Sequence, residues 1–259
     1  AFFGMMTNFS ENVLGILYRK KDRKGEWHGG AMYYLRHGLG AKKHCKYIGI
    51  VLAWLFSLFC LLASFGIGNM SQVNSMVSNV NNAFGIPKIA VGIFLVFAVG
   101  IVIIGGLKRV AAITEKIVPF MVILYFVGAI IIICLHISSI PAIFAAIFKG
   151  AFSIKAVAGG GFGAGIALAM KMGFKRGVFS NEAGLGSSVM VHSSSNVKEP
   201  VRQGMWGIFE VFADTIIVCT LTAIVLLGSG AIDLTTGLAN EEILNSIGGS
   251  SNLMSYSFG

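Results

Sequence analysis

Five of seven consecutive residues in one apolar stretch are glycines, namely Gly159, Gly160, Gly161, Gly163 and Gly165. Each glycine destabilises a helix interior by roughly 0.5–1 kcal/mol relative to alanine. In hydrocarbon, a membrane helix unwinds only where its backbone faces protein or a water-filled cavity. The cluster predicts either a break whose exposed backbone dipoles bind a small charged ligand, or close helix packing through the GxxxG spacing of Gly161 and Gly165. The residues alone favour neither.

Two acidic residues, Glu210 and Asp214, lie four residues apart and on one helical face within the apolar stretch 207–227. An ionisable side chain at membrane depth is costly and marks a candidate functional site. Asp214 is predicted either to hold a cation or proton with Thr215 or Thr220, or to pair with basic or backbone donors near the cytoplasmic mouth. For Glu210 the structural pairing is favoured.

A third polar group follows the 22 charge-free residues of 47–68. Asn69, Gln72 and Ser75 are spaced three apart, so they share one face of a helix. Asn69 and Gln72 are candidates for lining a cavity. The alternatives are hydrogen bonding between helices or emergence into outer water, which suit the polar residues nearer position 80.

The elements that must position these side chains are membrane helices. Hydrophobic residues make up 55% of the chain and charged residues only 12%, whereas about a quarter of an average soluble domain is charged. We predict a partial helix over 1–17, a short amphipathic helix near 138–150 and a glycine-interrupted helix over 151–176. Full helices are predicted over 46–80, 88–107, 117–135 and 204–230. The sequence is that of an all-α, polytopic membrane protein.

Basic residues are distributed asymmetrically between the predicted spans. Segments 18–46, 108–116 and 171–205 hold 17 of the 20 Lys and Arg residues. The positive-inside rule therefore places these three segments in the cytoplasm. The basic run 19–27 is predicted to anchor this topology and to contact anionic lipid. Because the net charge of +9 is explained in this way, nucleic-acid binding is not predicted.

Enzymatic constellations are not apparent in the sequence. The four cysteines are scattered, and no two of the five histidines have metal-ligand spacing. His192 lies at the edge of a span and receives no role. The absence of a nucleophile–base pair argues against a membrane enzyme, and no cofactor is expected.

Several long motifs resemble the alanine/glycine:cation symporter family. The resemblance covers about residues 1–230 and rests on WHGGAMYYL (27–35), FGIGNMSQVNS (65–75), GGLKRVAAITEKIVPFM (105–121), KRGVFSNEAGLGSS (175–188) and PVRQGMWGIFEVFADTIIVCTLTAIVLLGSG (200–230). This chain departs from the family pattern at Ala31, where the family usually has proline. It departs again in SSVMVHSSS (187–195), where small apolar residues are commoner.

The resemblance implies part of a leucine-transporter-like inverted-repeat fold, about spans 2–7, that moves alanine or glycine with Na⁺ or H⁺. It implies a substrate site at Gly160, Gly161, Phe162 and Gly163 in an unwound span, bordered by Asn69 and Gln72. The segment 175–188 would lie at the cytoplasmic end and act in gating.

We therefore expect a secondary transporter of a small neutral amino acid in the cell membrane, with residues 1–232 as a partial transporter domain. Residues 233–259 are expected to be an extracytoplasmic polar tail leading to a further span. The first broken span and later spans are expected to lie outside this sequence. An ion channel and a non-functional truncated product remain the alternatives, and the oligomeric state is left open.

Overall fold

The computed structural model describes residues 1–23, 25–66, 69–151, 171, 173–174, 177, 180–234, 240–247 and 252–258. Two compact units make up the chain. The first combines Ala1–Phe65 with Val157–Thr220, and the second combines Gly66–Ala156 with Leu221–Gly259.

The first unit is helical apart from one small hairpin. Its helices are α1 (Phe2–Tyr18), α2 (Ala31–His37), α3 (Lys46–Ser64), α8 (Ser188–Ser193) and α9 (Pro200–Val211), and a 3₁₀ turn covers Leu39–Ala41. Strands β1 (Lys20–Lys21) and β2 (Trp27–His28) pair antiparallel between α1 and α2. A π-helical turn, Phe212–Val218, continues α9.

Close packing of α1 against α9 organises the first unit. A Cβ atom added at Gly204 would lie 2.7 Å from Val13 Cγ2, and one added at Gly207 would collide with the Asn12 side chain. Small residues at this contact therefore let the two backbones approach closely. Membrane helices often associate in this way, because in lipid no hydrophobic driving force brings helices together. Asn8 and Asn12 are fully buried at this contact.

The second unit contains α4 (Met70–Phe84), α5 (Lys88–Ile103), α6 (Gly106–Leu135), α7 (Ile140–Ala151), α10 (Cys219–Gly228, from Leu221 onward), α11 (Glu241–Ser246) and α12 (Leu253–Ser257). Helix α4 ends at Gly85, whose φ of +68° is the left-handed conformation that glycine adopts at helix ends. Pro87 then sets the start of α5.

The core of the second unit forms where α6, α10 and α12 meet. Ala129, Ile132 and Val225 are buried together, with Met254 packed against them. The Tyr125 hydroxyl lies 2.5 Å from Thr222 Oγ1. The chain beyond residue 233 is thus partly helical, and α12 packs on the apolar helices of its own unit.

Three helices in the described part of the chain are long and apolar enough to cross a bilayer: Lys46–Ser64, Arg109–Leu135 and Pro200–Gly228. Their large apolar side chains are exposed, and Trp54 on α3 is 74% exposed. Faces of this kind suit contact with lipid rather than water.

The predicted helix boundaries need three corrections. The single helix predicted over 46–80 is wrong, because α3 ends at Ser64 and α4 begins at Met70. Gly66 falls between the two helices, and glycine weakens a helix interior. The turn predicted over 108–116 is helical and forms the start of α6, since most of its residues favour helix. The last helix begins at Pro200, because proline is well suited to the first helical position.

Candidate functional site

A π-helical turn surrounds Asp214, the acidic residue placed deepest by the sequence. The backbone N–H of Cys219 donates to the Asp214 carbonyl, five residues back, which widens the helix over Phe212–Val218. Turns of this kind are rare and occur frequently at functional sites. Nothing in the sequence pattern predicts it.

The carboxylate of Asp214 has a hydroxyl partner from a preceding segment. Ser180 Oγ donates to Asp214 Oδ2 at 2.6 Å, and the same hydroxyl lies 3.6 Å from Cys219 Sγ. Asp214 is therefore not paired with a Lys or Arg side chain in the described part of the chain. Sequence spacing did not identify Ser180, which lies 34 residues away.

Thr215 adds a second polar group to the same turn. Its Oγ1 is buried and has no hydrogen-bond partner among the described residues. A carboxylate and hydroxyl groups are hard oxygen ligands, the kind that alkali and alkaline-earth cations prefer. Thr220, the other predicted candidate, is exposed and lies beyond the π-helical turn. The structure thus brings the Ser180 hydroxyl to the Asp214 carboxylate, and Thr215 is the next residue of the same turn.

Asn69 and Gln72 lie at the start of α4, in the second unit. Asn69 is the N-cap residue and both side chains are exposed. Nearer the end of the helix, Ser78 Oγ accepts a hydrogen bond from Asn252, and Asn79 Oδ1 accepts one from Ser255. Hydrogen bonding between helices therefore explains the later polar residues of this stretch.

The predicted substrate residues Gly160, Gly161, Phe162 and Gly163 lie outside the described residues. The break in their helix remains a prediction.

A polar network runs through the first unit where α1, α8 and α9 meet. Asn8 Nδ2 donates to the Gly207 carbonyl and to Glu210 Oε2, both at 3.4 Å. Asn8 Oδ1 accepts from Asn12 Nδ2 at 3.1 Å and from Ser188 Oγ at 3.5 Å. Glu210 is therefore hydrogen-bonded to Asn8, which is fully buried.

His192, to which the sequence assigned no role, is central to this network. Its Nε2 lies 2.9 Å from Glu210 Oε2, and its Nδ1 lies 2.5 Å from Gln203 Nε2. Glu210 is thus paired, as favoured from the sequence, but with a histidine rather than with Lys, Arg or a backbone donor. No sequence pattern pointed to this pair, because His192 lies on α8 and Glu210 lies on α9.

Arg19, at the C-terminal end of α1, is hydrogen-bonded to the segment that follows α8. The Arg19 guanidinium donates to the carbonyls of Ser193 at 3.1 Å, Ser195 at 2.6 Å and Val197, and it lies over the Trp27 ring at 4.1 Å. Burial lowers the pKa of Arg19, which stays charged at neutral pH because an arginine pKa is normally above 12.

Earlier on α1, Glu11 Oε2 accepts the backbone N–H of Gly184 at 3.2 Å. Burial, and secondly the charge of Glu11, raises the pKa of Tyr34 to about 12. Tyr34 is therefore a neutral hydroxyl at physiological pH.

One group with metal-ligand chemistry occurs in the described residues, outside the apolar helices. The ligand atoms of Asp22, Glu26 and His28 lie within 4.8 Å of one another at the β1–β2 hairpin. Lys20, Lys21 and Arg23 surround this group in sequence and oppose cation binding there.

Comparison with known proteins matches this chain to one family and to several transporters. The family model described as the sodium:alanine symporter family matches residues 1–254. The sodium/alanine symporter AgcS of Methanococcus maripaludis is 42% identical over 230 residues, which cover 89% of this chain and 49% of that protein. An uncharacterized transporter of Haemophilus influenzae is 41% identical over 232 residues, 89% of this chain and 49% of that protein.

The amino-acid carrier protein AlsT of Bacillus subtilis is 38% identical over 228 residues, 88% of this chain and 46% of that protein. The chain spans about half the length of these curated relatives.

Proposed function

The chain belongs to the sodium:alanine symporter family, and from that premise we propose that its complete gene product is a carrier that couples cation entry to uptake of alanine or glycine. The observation that carries this proposal is the family match, which extends over residues 1–254 and includes the apolar helices, the π-helical turn and the glycine cluster.

Na⁺ is the proposed coupling ion, and Asp214 is its proposed ligand in this part of the protein. Support comes from the carboxylate, the Ser180 hydroxyl and the unpartnered Thr215 Oγ1 at one widened helical turn. An oxygen-rich, partly buried position suits Na⁺, because a carboxylate supplies charge and hydroxyls replace hydration water. Thr220 is a weaker candidate because its side chain is exposed.

The proposed amino-acid site is centred on Gly160, Gly161, Phe162 and Gly163. In this proposal, backbone groups of the glycines meet the ammonium and carboxylate of the substrate, and Phe162 closes over it. Asn69 and Gln72 border the pocket in the family-based arrangement. Selectivity for a small side chain follows because larger ones would clash with the closing aromatic ring.

Coupling requires that the cation favour the substrate-occupied state. A bound Na⁺ shifts the conformational equilibrium only by its difference in affinity for the two states. A tenfold difference corresponds to about 1.4 kcal/mol. Asp214 is suited to produce such a difference in affinity because it lies in the widened helical turn. In this proposal, a small change in the geometry of that turn moves the oxygen atoms that bind the cation.

The test is counterflow of radiolabelled alanine in proteoliposomes that contain the complete gene product, with and without Na⁺. We expect saturable exchange that Na⁺ stimulates on the order of tenfold or more. Glycine should compete for this exchange and glutamine should compete less. Exchange that neither saturates nor responds to Na⁺ would contradict the proposal.

The Gly161→Leu variant tests the substrate site. We expect it to insert into the membrane and to purify as a single species, while losing alanine exchange because leucine would fill the proposed pocket. Normal exchange by this variant would remove Gly161 from the site. An ohmic current in planar bilayers, without saturable exchange, would instead identify a channel.

A further inference from the structure

A cavity of about 300 Å³ lies between α2 and α3, within the first unit. One wall consists of four α3 residues at helical spacing, which share one face of the helix: Ile50, Ala53, Trp54 and Ser57. The Ser57 hydroxyl donates to the Ala53 carbonyl at 2.9 Å, so its hydrogen bond is made within its own helix. This wall is therefore apolar in character, and it extends for about 10 Å along the helix axis.

The opposite wall, on α2, carries polar and charged groups. Arg36 and His37, at the C-terminal end of α2, line the cavity together with Met32 and Tyr33. The Tyr33 and His37 rings lie 6.4 Å apart. Arg36 is exposed, and it has no hydrogen-bond or ion-pair partner among the described residues. The cavity thus combines an apolar wall with a guanidinium group that is available to an anion.

The positive charge at this cavity is not balanced by nearby acidic residues of the two helices. The sequence 27–114 contains no Asp or Glu, so neither α2 nor α3 carries a negative side chain. Burial, followed by the positive charges of Lys20 and Arg36, lowers the pKa of His37. Three further basic residues are exposed just before α3 or at its start: Lys42, Lys43 and Lys46. The charge of the cavity is therefore complementary to an anion.

Close backbone contact holds the two walls in place. A Cβ atom added at Gly49 would lie 2.6 Å from the Leu35 carbonyl oxygen and 2.6 Å from the Gly40 backbone nitrogen. Glycine therefore lets α3 approach the end of α2 closely. Ile50, where the apolar wall starts, is the residue after this contact. The charged end of α2 thus lies beside the first turn of α3, and the apolar wall leads from there along the helix.

The cavity lies near one end of a helix that is long and apolar enough to cross a bilayer, Lys46–Ser64. The segment 18–46 that precedes it is predicted to be cytoplasmic. In that topology the charged end of the cavity is at the level of the cytoplasmic headgroups, and the apolar wall continues into the hydrocarbon. Trp54 is 74% exposed on this wall, and tryptophan is enriched near membrane–water interfaces.

The two walls together restrict the chemistry of an occupant. Inorganic phosphate would satisfy Arg36 but would leave the apolar face of α3 uncovered. A free amino acid would bring an ammonium group, for which the lining residues offer no carboxylate. A molecule with an anionic head and an acyl chain matches both walls.

We propose that this cavity binds an anionic phospholipid of the cytoplasmic leaflet, with its phosphate at Arg36 and an acyl chain along Ile50, Ala53 and Trp54. The guanidinium group suits this role because its paired donors match phosphate oxygens. Basic pockets beside membrane helices on the cytoplasmic side bind anionic headgroups in this way. The choice of leaflet rests on the predicted topology, and lipid binding itself does not depend on the proposed carrier function.

Lipid binding is tested with phosphatidylglycerol that carries a diazirine in one acyl chain. The probe is a minor component of phosphatidylcholine nanodiscs that contain the complete gene product. After illumination, mass spectrometry of peptides locates the adducts. We expect them to concentrate in residues 50–57. Unlabelled phosphatidylglycerol should compete for this labelling, whereas inorganic phosphate should not, and a phosphatidylcholine probe should label the same residues several-fold less.

Substitutions separate this cavity from general attraction of lipid to a basic surface. Arg36→Gln should reduce labelling of residues 50–57 by about tenfold, because a charge-assisted contact is lost. Arg202→Gln is the matched control, since Arg202 is an exposed arginine on α9 in another predicted cytoplasmic segment. Ser57→Trp should also reduce labelling because it fills the cavity, whereas Leu58→Trp adds a similar bulk outside the lining residues and should not.

Three results would overturn the proposal: equal labelling of residues 50–57 by the two lipid probes, displacement of the probe by inorganic phosphate, or wild-type labelling of Arg36→Gln. Size-exclusion chromatography reports whether each variant is folded, and Arg36→Gln alters an exposed side chain, so it tests the site even if Ser57→Trp does not fold. If the gene product exchanges no alanine, the proposed carrier function fails, while the adducts still decide whether the lipid site exists.

Discussion

Asp214 and Glu210 are one helical turn apart, yet their environments differ. Asp214 lies in a π-helical turn and accepts a hydrogen bond from Ser180, and the next residue, Thr215, has a buried hydroxyl with no partner among the described residues. Glu210 lies in the regular helix α9 and is hydrogen-bonded to Asn8 and His192. Residue type alone does not reveal this difference, because it depends on which hydrogen-bond partners the fold brings to each carboxylate.

Replacing Asp214 with asparagine removes one negative charge and leaves the side-chain volume nearly unchanged. We expect the Na⁺ concentration for half-maximal alanine exchange to rise by about tenfold or more, because the proposed charged ligand is lost from a partly buried position. Exchange rates measured across a series of Na⁺ concentrations check this. Glu115→Gln, an exposed carboxylate on α6, is the control. An unchanged Na⁺ dependence in Asp214→Asn would exclude this residue as a ligand.

Thr215 provides an independent test of the same site. Thr215→Val keeps the shape of the side chain and removes the unpartnered Oγ1. If that oxygen binds Na⁺, half-maximal exchange should require several-fold more Na⁺. If it binds nothing, the variant should be slightly more stable, because a buried polar atom without a partner has been removed. Na⁺ titration and thermal unfolding of one preparation distinguish these outcomes.

The contact between α1 and α9 shows how helix packing places the polar network. Gly204 and Gly207 leave space on α9 that side chains of α1 fill. This brings Asn8 within hydrogen-bond distance of Glu210, 202 residues further along the chain. The small residues therefore determine which polar groups can meet.

Gly207→Ala is expected to destabilise the first unit. The added methyl group would overlap Asn12 and press against the Asn8 backbone. Overpacking of this kind typically costs about 1–3 kcal/mol. We expect a lower thermal unfolding midpoint in detergent. Gly92→Ala is the matched control, because Gly92 lies in helix α5 with no atom within 4 Å of the added Cβ, and it should be neutral or slightly stabilising. Equal midpoints for the two variants would contradict this account.

The Arg19 contacts should protect the segment that follows α8 from proteolysis. Arg19→Ala removes the donors to Ser193, Ser195 and Val197, so local opening should become more frequent. We expect trypsin to cleave after Lys198 several-fold faster in this variant, as followed by mass spectrometry of native membranes. Arg23→Ala, an exposed arginine in the hairpin, is the control. Equal cleavage rates in the two variants would show that Arg19 does not limit opening of this segment.

For the whole molecule, the charges of the loops predict an orientation in the membrane, and chemical labelling can test it. The 18–46 segment, predicted to be cytoplasmic, contains Cys45 at the start of α3. Ser138 is exposed in the 3₁₀ turn after α6, in a segment predicted to be outside. A membrane-impermeant maleimide should label Cys45 only in inverted vesicles. In a Ser138→Cys variant, the introduced thiol should be labelled only in intact cells. Labelling from the opposite sides would reverse the predicted topology.

The sequence by itself determined the class of protein. Long charge-free runs and asymmetric basic loops are local properties, and lipid selects for them directly. Family motifs along the chain predicted membership, which the family match confirmed over residues 1–254. The sequence also drew attention to Asp214, because an acid in an apolar run is conspicuous without knowledge of its neighbours.

Only the tertiary structure decided which polar groups meet. His192 and Gln203 are 11 residues apart on different helices, and Asn8 reaches Glu210 across most of the chain. No periodicity relates such positions, because the relation depends on the angle and depth at which α1, α8 and α9 pack. The π-helical turn at Asp214 was likewise unpredictable, since it depends on which backbone groups pair rather than on the apolar pattern of the side chains.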